Sequence, residues 1–146
     1  KVKGPERPGR RVLSEKAAAS VRQCMVETVS DIGTGSKGKL EGYSMGGKTG
    51  TARKHIENVG YVSGRYTASF MGFLPAENPR FVALIVVDDP RKDGLVIGGG
   101  SVAAPVFKAI AADAVKILGI EPDLPEEIAP EADTSLANFT GLEREG

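Results

Sequence analysis

Apolar side chains recur along this chain with two different periods. Residues 14–32 place them at Ala17, Ala18, Val21, Cys24, Met25, Val29 and Ile32. That is helical spacing, with one face buried. Ser14 is placed as the N-cap, Glu15 suits the first turn, and Gly33 and Gly35 stop the helix near residue 30. Three runs of strand character follow: Tyr43 to Ala52, Tyr66 to Leu74 and Arg80 to Val87. The third is apolar throughout, which predicts a central strand buried on both faces. The short turn Pro75–Pro79 predicts antiparallel pairing of the second and third strands. A second helix is predicted over 102–118, with Pro105 in its first turn and Val106, Ala109, Ile110, Ala114, Ile117 and Leu118 as its stripe. Gly119 ends it.

Helix, three strands and helix give an α/β chain of the α+β type: one antiparallel sheet with flanking helices. Residues 1–11 are basic and rich in proline and glycine, an extended lead-in segment. Residues 121–146 hold eight acidic residues and one basic, with three prolines. They read as an extended or disordered tail, leaving 1–120 as the folded unit. Arg53 to Arg65 reads as a polar loop.

The chain has 146 residues and a formal net charge of zero, enough length for one domain with a core. Its basic residues are not interleaved with aromatics, so no nucleic-acid partner is expected. No apolar run is long enough to cross a bilayer. The chain begins at Lys1 rather than methionine, as a cleavage product or an excised segment would. Cys24 is the only cysteine and reads as a small buried hydrophobe on the first helix. His55, the only histidine, reads as a solvated loop residue.

One stretch carries chemistry: Gly46-Gly47-Lys48-Thr49-Gly50-Thr51-Ala52. Glycine lets a backbone approach a ligand closely, and a strand edge can pair with an extended peptide. Lys48 adds a positive charge there, and Thr49 and Thr51 add hydroxyls. Two motifs fit. K-T-G is an active-site motif of penicillin-binding proteins and related serine enzymes. Gly42 to Thr49 also satisfies the phosphate-binding G-x-x-x-x-G-K-[ST], and Ala83 to Asp89 imitates the acidic strand of such nucleotide binders. That loop must follow a buried strand and open a helix, because phosphate sits on the helix N-terminus. A polar, glycine-rich segment precedes Gly42, and nothing after Thr49 has helical period. The strand reading is favoured, and a nucleotide binder is a remote alternative.

Ser36-Lys37-Gly38-Lys39 matches S-x-x-K, but a nucleophilic serine needs a helix that puts its lysine one turn later on the same face. This serine lies in a glycine-flanked turn, so the match reads as chance. Asp88 to Gly94 reads as a solvated charged turn rather than a metal site. Gly98-Gly99-Gly100 could form an anion nest, but close packing of a helix start on the sheet is the preferred reading.

The ordered set of motifs resembles a known family. Gly33-Thr34-Gly35, then Gly47 to Ala52, Tyr66 to Phe73 with Pro75, Pro79-Arg80, Ala104 to Phe107 and Gly119 to Asp123 look like the C-terminal half of a class B penicillin-binding-protein transpeptidase domain, of the division type. The resemblance covers roughly residues 14–122. It implies part of the penicillin-binding-protein/serine β-lactamase-like transpeptidase fold. It also implies a peptidoglycan D,D-transpeptidase that cross-links stem peptides through a serine acyl-enzyme and is acylated by β-lactams, with no cofactor and no metal. By this resemblance Lys48 and the backbone N–H of Thr51 are catalytic, and Thr49, Gly50 and Ala52 bind substrate. The true S-x-x-K and S-x-N motifs are missing here. The family implies them upstream, so the chain alone is expected to be inactive and to need a partner, the upstream half of the domain, against its sheet. Other implied partners are the stem peptide, β-lactams and division-complex proteins, at the periplasmic face of a bacterial inner membrane. The alternative is a non-catalytic penicillin- or peptidoglycan-binding module.

Overall fold

The computed structural model describes residues 9–91 and 97–124. Helix α1 spans Glu15–Thr28, strand β1 Gly46–Ile56, β2 Gly60–Leu74, β3 Phe81–Asp88 and helix α2 Ala104–Leu118. A short 3-10 turn, Ser36–Gly38, lies between α1 and β1, and a wide π-type turn, Gly99–Ala103, leads into α2. The strands form one antiparallel sheet in the order β1-β2-β3, with Thr49 opposite Phe70 and Phe70 opposite Ile85.

The caps follow from the sequence. Ser14 Oγ accepts from Ala17 N–H at 3.1 Å. Gly119 adopts φ 58°, and the N–H of Ile120 returns to the carbonyl of Val115 at 2.9 Å, closing α2. α2 lies across one face of the sheet. Phe107 meets Phe70 edge-on at 5.2 Å between centroids and Phe81 at 6.0 Å. Leu74, Ala111, Val115 and Ile120 complete this core, with Phe81, Ala83, Ile85 and Val87 packed against it. Ile120 and Asp123 tie the start of the acidic segment to the chain before β1: Tyr43 donates its hydroxyl to the carbonyl of Ile120, and Asp123 accepts from Ser44 N–H at 2.7 Å. Residues 125–146 of the expected tail, and Lys92 to Gly94 of the expected charged turn, lie outside the described residues.

Five expectations are corrected: a central β3, a buried Cys24, a buried face on the first helix, a loop over 53–65 and a loop position for His55. β3 is not central. It is an edge strand, and its burial alternates: Val82, Leu84 and Val86 are 66%, 63% and 55% exposed. Among the described residues, only the face of β3 toward α2 is covered. Cys24 is exposed, and α1 buries none of its residues against the rest of the described chain. Residues 53–65 are no loop. β1 and β2 run on as a hairpin past the end of β3, turning at Asn58 and Gly60, whose φ values are 62° and 88°. His55 therefore sits in β1, edge-on to Tyr61 at 5.2 Å. Cross-strand pairs replaced the apolar alternation that usually marks a strand.

The root of this hairpin is tied to β3 by charge. Asp89 accepts from Arg65 Nε at 3.0 Å, and Asp88 accepts from Thr67 Oγ1 at 3.1 Å and from Lys54. Hydrogen bonds from Arg65 hold the Asp89 carboxyl down to about 2 from its ordinary 3.8, against the desolvation that opposes them. A carboxylate depressed in the folded state stabilises above its unfolded pKa and loses that contribution as pH falls. The ion pair is therefore fully present above about pH 4 and is lost on descending toward pH 2. Asp89→Asn should flatten the acid limb of stability between those values while leaving its shape near neutrality unchanged. Urea midpoints across that pH range check this.

Candidate functional site

The segment Lys48 to Ala52 lies in β1, the strand at one edge of the sheet. Its second partner position is open among the described residues. Alternate backbone N–H and C=O groups of such an edge face outward, free to pair with an extended chain. No helix begins at Lys48, so the phosphate-loop reading is overturned: the lysine and threonine are in extended backbone, where no helix N-terminus can cradle phosphate.

Successive residues of a strand face opposite sides. Thr49 and Thr51 face the side on which the chain 33–35 and the turn 98–101 lie. Thr49 Oγ1 is 3.2 Å from Thr34 Oγ1, and Thr51 Oγ1 accepts from Gly99 N–H at 3.2 Å. Lys48 faces the other way, toward solvent, and its ammonium donates to the carbonyl of Thr49 at 2.8 Å. Among the described residues no carboxylate pairs with it. Gly50 lies opposite Ser69 in β2, and a side chain at Gly50 would run into the Ser69 hydroxyl. Ala52 is exposed on the same edge, opposite Thr67.

All five residues singled out from the sequence are thus on one open edge. Two contributors were not foreseen: the hydroxyl of Thr34 and the amide of Gly99. Thr34 stands out in the sequence only within a family marker, between the two glycines that end the first helix. Gly98–Gly100 was read as close packing, and the structure bears that out. A β-carbon on Gly99 would fall on the carbonyl of Ser69 and 2.8 Å from both Gly50 N and Gly50 O. Ser36 begins a three-residue 3-10 turn rather than an α-helix, and the Lys39 ammonium donates to Asp31 at 3.1 Å. Among the described residues no group of acids, histidines and cysteines could hold a metal ion. No helix among them is long and apolar enough to cross a membrane.

This arrangement offers a cation, two positioned hydroxyls and open backbone groups along one line, a set suited to an extended peptide with an anionic end. Known proteins carry the same stretch of fold. The family model for the penicillin binding protein transpeptidase domain matches residues 2–112. A probable peptidoglycan D,D-transpeptidase PenA of Neisseria flavescens is 41% identical over 117 residues, 80% of this chain and 28% of that protein. The peptidoglycan D,D-transpeptidase FtsI of Escherichia coli is 37% identical over 119 residues, 82% of this chain and 20% of that protein. The apo transpeptidase domain of Burkholderia pseudomallei penicillin-binding protein 3 superposes with a TM-score of 0.70 at 41% identity, over 80% of this chain and 34% of that one. The chain thus spans between a fifth and about a third of these three relatives, and across that span both sequence and fold agree: it belongs to the penicillin-binding-protein transpeptidase family.

Proposed function

We propose that this chain is the K-T-G-bearing part of a peptidoglycan D,D-transpeptidase, completed by an upstream half that carries the S-x-x-K serine and the S-x-N motif. One observation carries the reading: Lys48 to Ala52 lie on an open strand edge, with both threonine hydroxyls already held in place. A stem peptide ending in D-Ala–D-Ala pairs along Gly50 to Ala52, and its terminal carboxylate takes the Thr49 hydroxyl and the field of Lys48. The serine of the other half attacks the penultimate carbonyl, the terminal D-alanine leaves, and an amine of a second strand resolves the acyl-enzyme. The backbone N–H of Thr51 supplies half of the oxyanion hole, a donor whose loss typically costs about 2.7–4 kcal/mol in the transition state. β-Lactams, with the same carboxylate and a strained amide, acylate the same serine. A relative solved with ampicillin, a mycobacterial penicillin binding protein 3, is 31% identical and superposes with a TM-score of 0.72. The parent works at the periplasmic face of the inner membrane, with division proteins as further partners.

The test is reconstitution. The chain and a separately purified upstream half are exposed to a fluorescent penicillin, singly and together. Label should appear only in the mixture, and only on the upstream half. Labelling of this chain alone would overturn the division of labour and return Ser36 to consideration. The non-catalytic alternative predicts saturable penicillin binding by this chain without any covalent label in the mixture.

A further inference from the structure

We infer that Thr34 is a positioning residue for carboxylate recognition: its hydroxyl donates to Thr49 Oγ1 and so aims the single proton of Thr49 at the ligand. The inference rests on the proposed role of Thr49 and adds to it a residue in a different loop.

The geometry begins with the Thr34–Thr49 contact, 3.2 Å between the two hydroxyl oxygens. Each hydroxyl has one proton and can also accept. A carboxylate is acceptor-only, so when one lies against Thr49 the Thr49 proton must point at it. The hydrogen bond to Thr34 then survives only with Thr34 as donor. Such a chain, Thr34 to Thr49 to carboxylate, polarises each member in turn. Without Thr34, the Thr49 hydroxyl is free to rotate to other acceptors.

A positioning residue must itself be held, and Thr34 is held on both sides. Before it, the N–H of Gly33 donates to the carbonyl of Ser30 at 2.8 Å. After it, the N–H of Gly35 returns to the carbonyl of Thr28 at 2.8 Å, so the chain folds back over the end of α1. Gly35 lies against the Phe70 ring, where a β-carbon would come within 2.8 Å. On the opposite side, Gly100 presses on the Thr34 carbonyl so closely that any side chain there would overlap it. Two glycine clusters, 33–35 and 98–100, thus clamp one threonine beside the K-T-G strand. Gly35 and Gly100 are the members that bear on Thr34, while Gly99 of the second cluster packs on Ser69 and Gly50.

The test uses the longer protein that carries this chain with its serine half, and two ligands: benzylpenicillin and its methyl ester, which keeps the β-lactam ring and removes the negative charge. Thr34→Val should lower the second-order acylation rate constant for the acid by about 3- to 10-fold, the scale of one neutral hydrogen bond. The ester carbonyl also accepts but carries no charge, so its rate should fall clearly less than the acid's, and Thr34→Ser should restore the acid rate. If Thr34→Val does not fold, Thr34→Ala provides the same comparison without a branched side chain. Equal losses for acid and ester, or no loss for the acid, would overturn the inference. Thr49→Val separates the two levels. If it too fails to discriminate acid from ester, the carboxylate reading itself falls. If it discriminates while Thr34→Val is silent, only the role of Thr34 falls.

Discussion

Gly99→Ala should reduce penicillin acylation of the assembled domain by about 100-fold, though residue 99 touches no ligand. The added methyl would lie on the carbonyl of Ser69 and 2.8 Å from Gly50 N and O, all of them backbone. Backbone in a paired strand cannot yield as a flexible side chain does, so the turn 98–101 must lift from the sheet. Lifting breaks the 3.2 Å bond from Gly99 N–H to Thr51 Oγ1 and moves the support of the residue proposed for the oxyanion hole. Misplacing a reacting group by about 1 Å can cost about 100-fold in rate. Overpacking of this kind costs about 1–3 kcal/mol of stability, so a folded protein with a crippled site is the expected product. Stopped-flow acylation and a thermal melt on the same sample check both halves of the claim. A variant as fast as wild type would show that the turn does not support the strand.

Much of this was legible in the sequence, and what was missed shares a cause. Both helices, with Ser14 and Gly119 at their ends, follow from local chemistry, because a cap depends on residues within one turn. The K-T-G strand was separable from a phosphate loop for the same reason: its neighbours lack helical period. The hairpin 53–65 was missed because its partners are polar and meet across strands, as His55 meets Tyr61. Asn58 and Gly60, with positive φ, were the available signal. The contacts of Thr49 with Thr34 and of Thr51 with Gly99 join residues 15 and 48 positions apart, and no spacing rule reaches that far. β3 misled in a different way. An all-apolar strand does announce two covered faces, but among the described residues only the α2 face of β3 is covered.

That exposed face gives the last prediction. Val82, Leu84 and Val86 form an apolar row on the face away from α2, and Leu84 stands opposite Met71 of β2. Beside them an apolar groove between α1 and the sheet is lined by Leu13, Val21, Met25, Phe73 and Pro79. A contiguous apolar surface of this kind marks an interaction site. Leu84→Glu should therefore divide sharply between two measurements. In the isolated chain Leu84 is already exposed, so the substitution should cost about 1 kcal/mol or less, chiefly from the poor strand propensity of glutamate. In the mixture with the upstream half it would bury an unpaired carboxylate, a penalty of several kcal/mol. Association, read as labelling of the upstream half by fluorescent penicillin, should weaken by about 100-fold or more. Ile117→Glu is the control: Ile117 is 83% exposed and lies on α2, across the sheet from this face, so its substitution should leave labelling intact. If Leu84→Glu assembles and labels as well as wild type, the upstream half does not cover this face, and the exposed row on β3 needs another occupant.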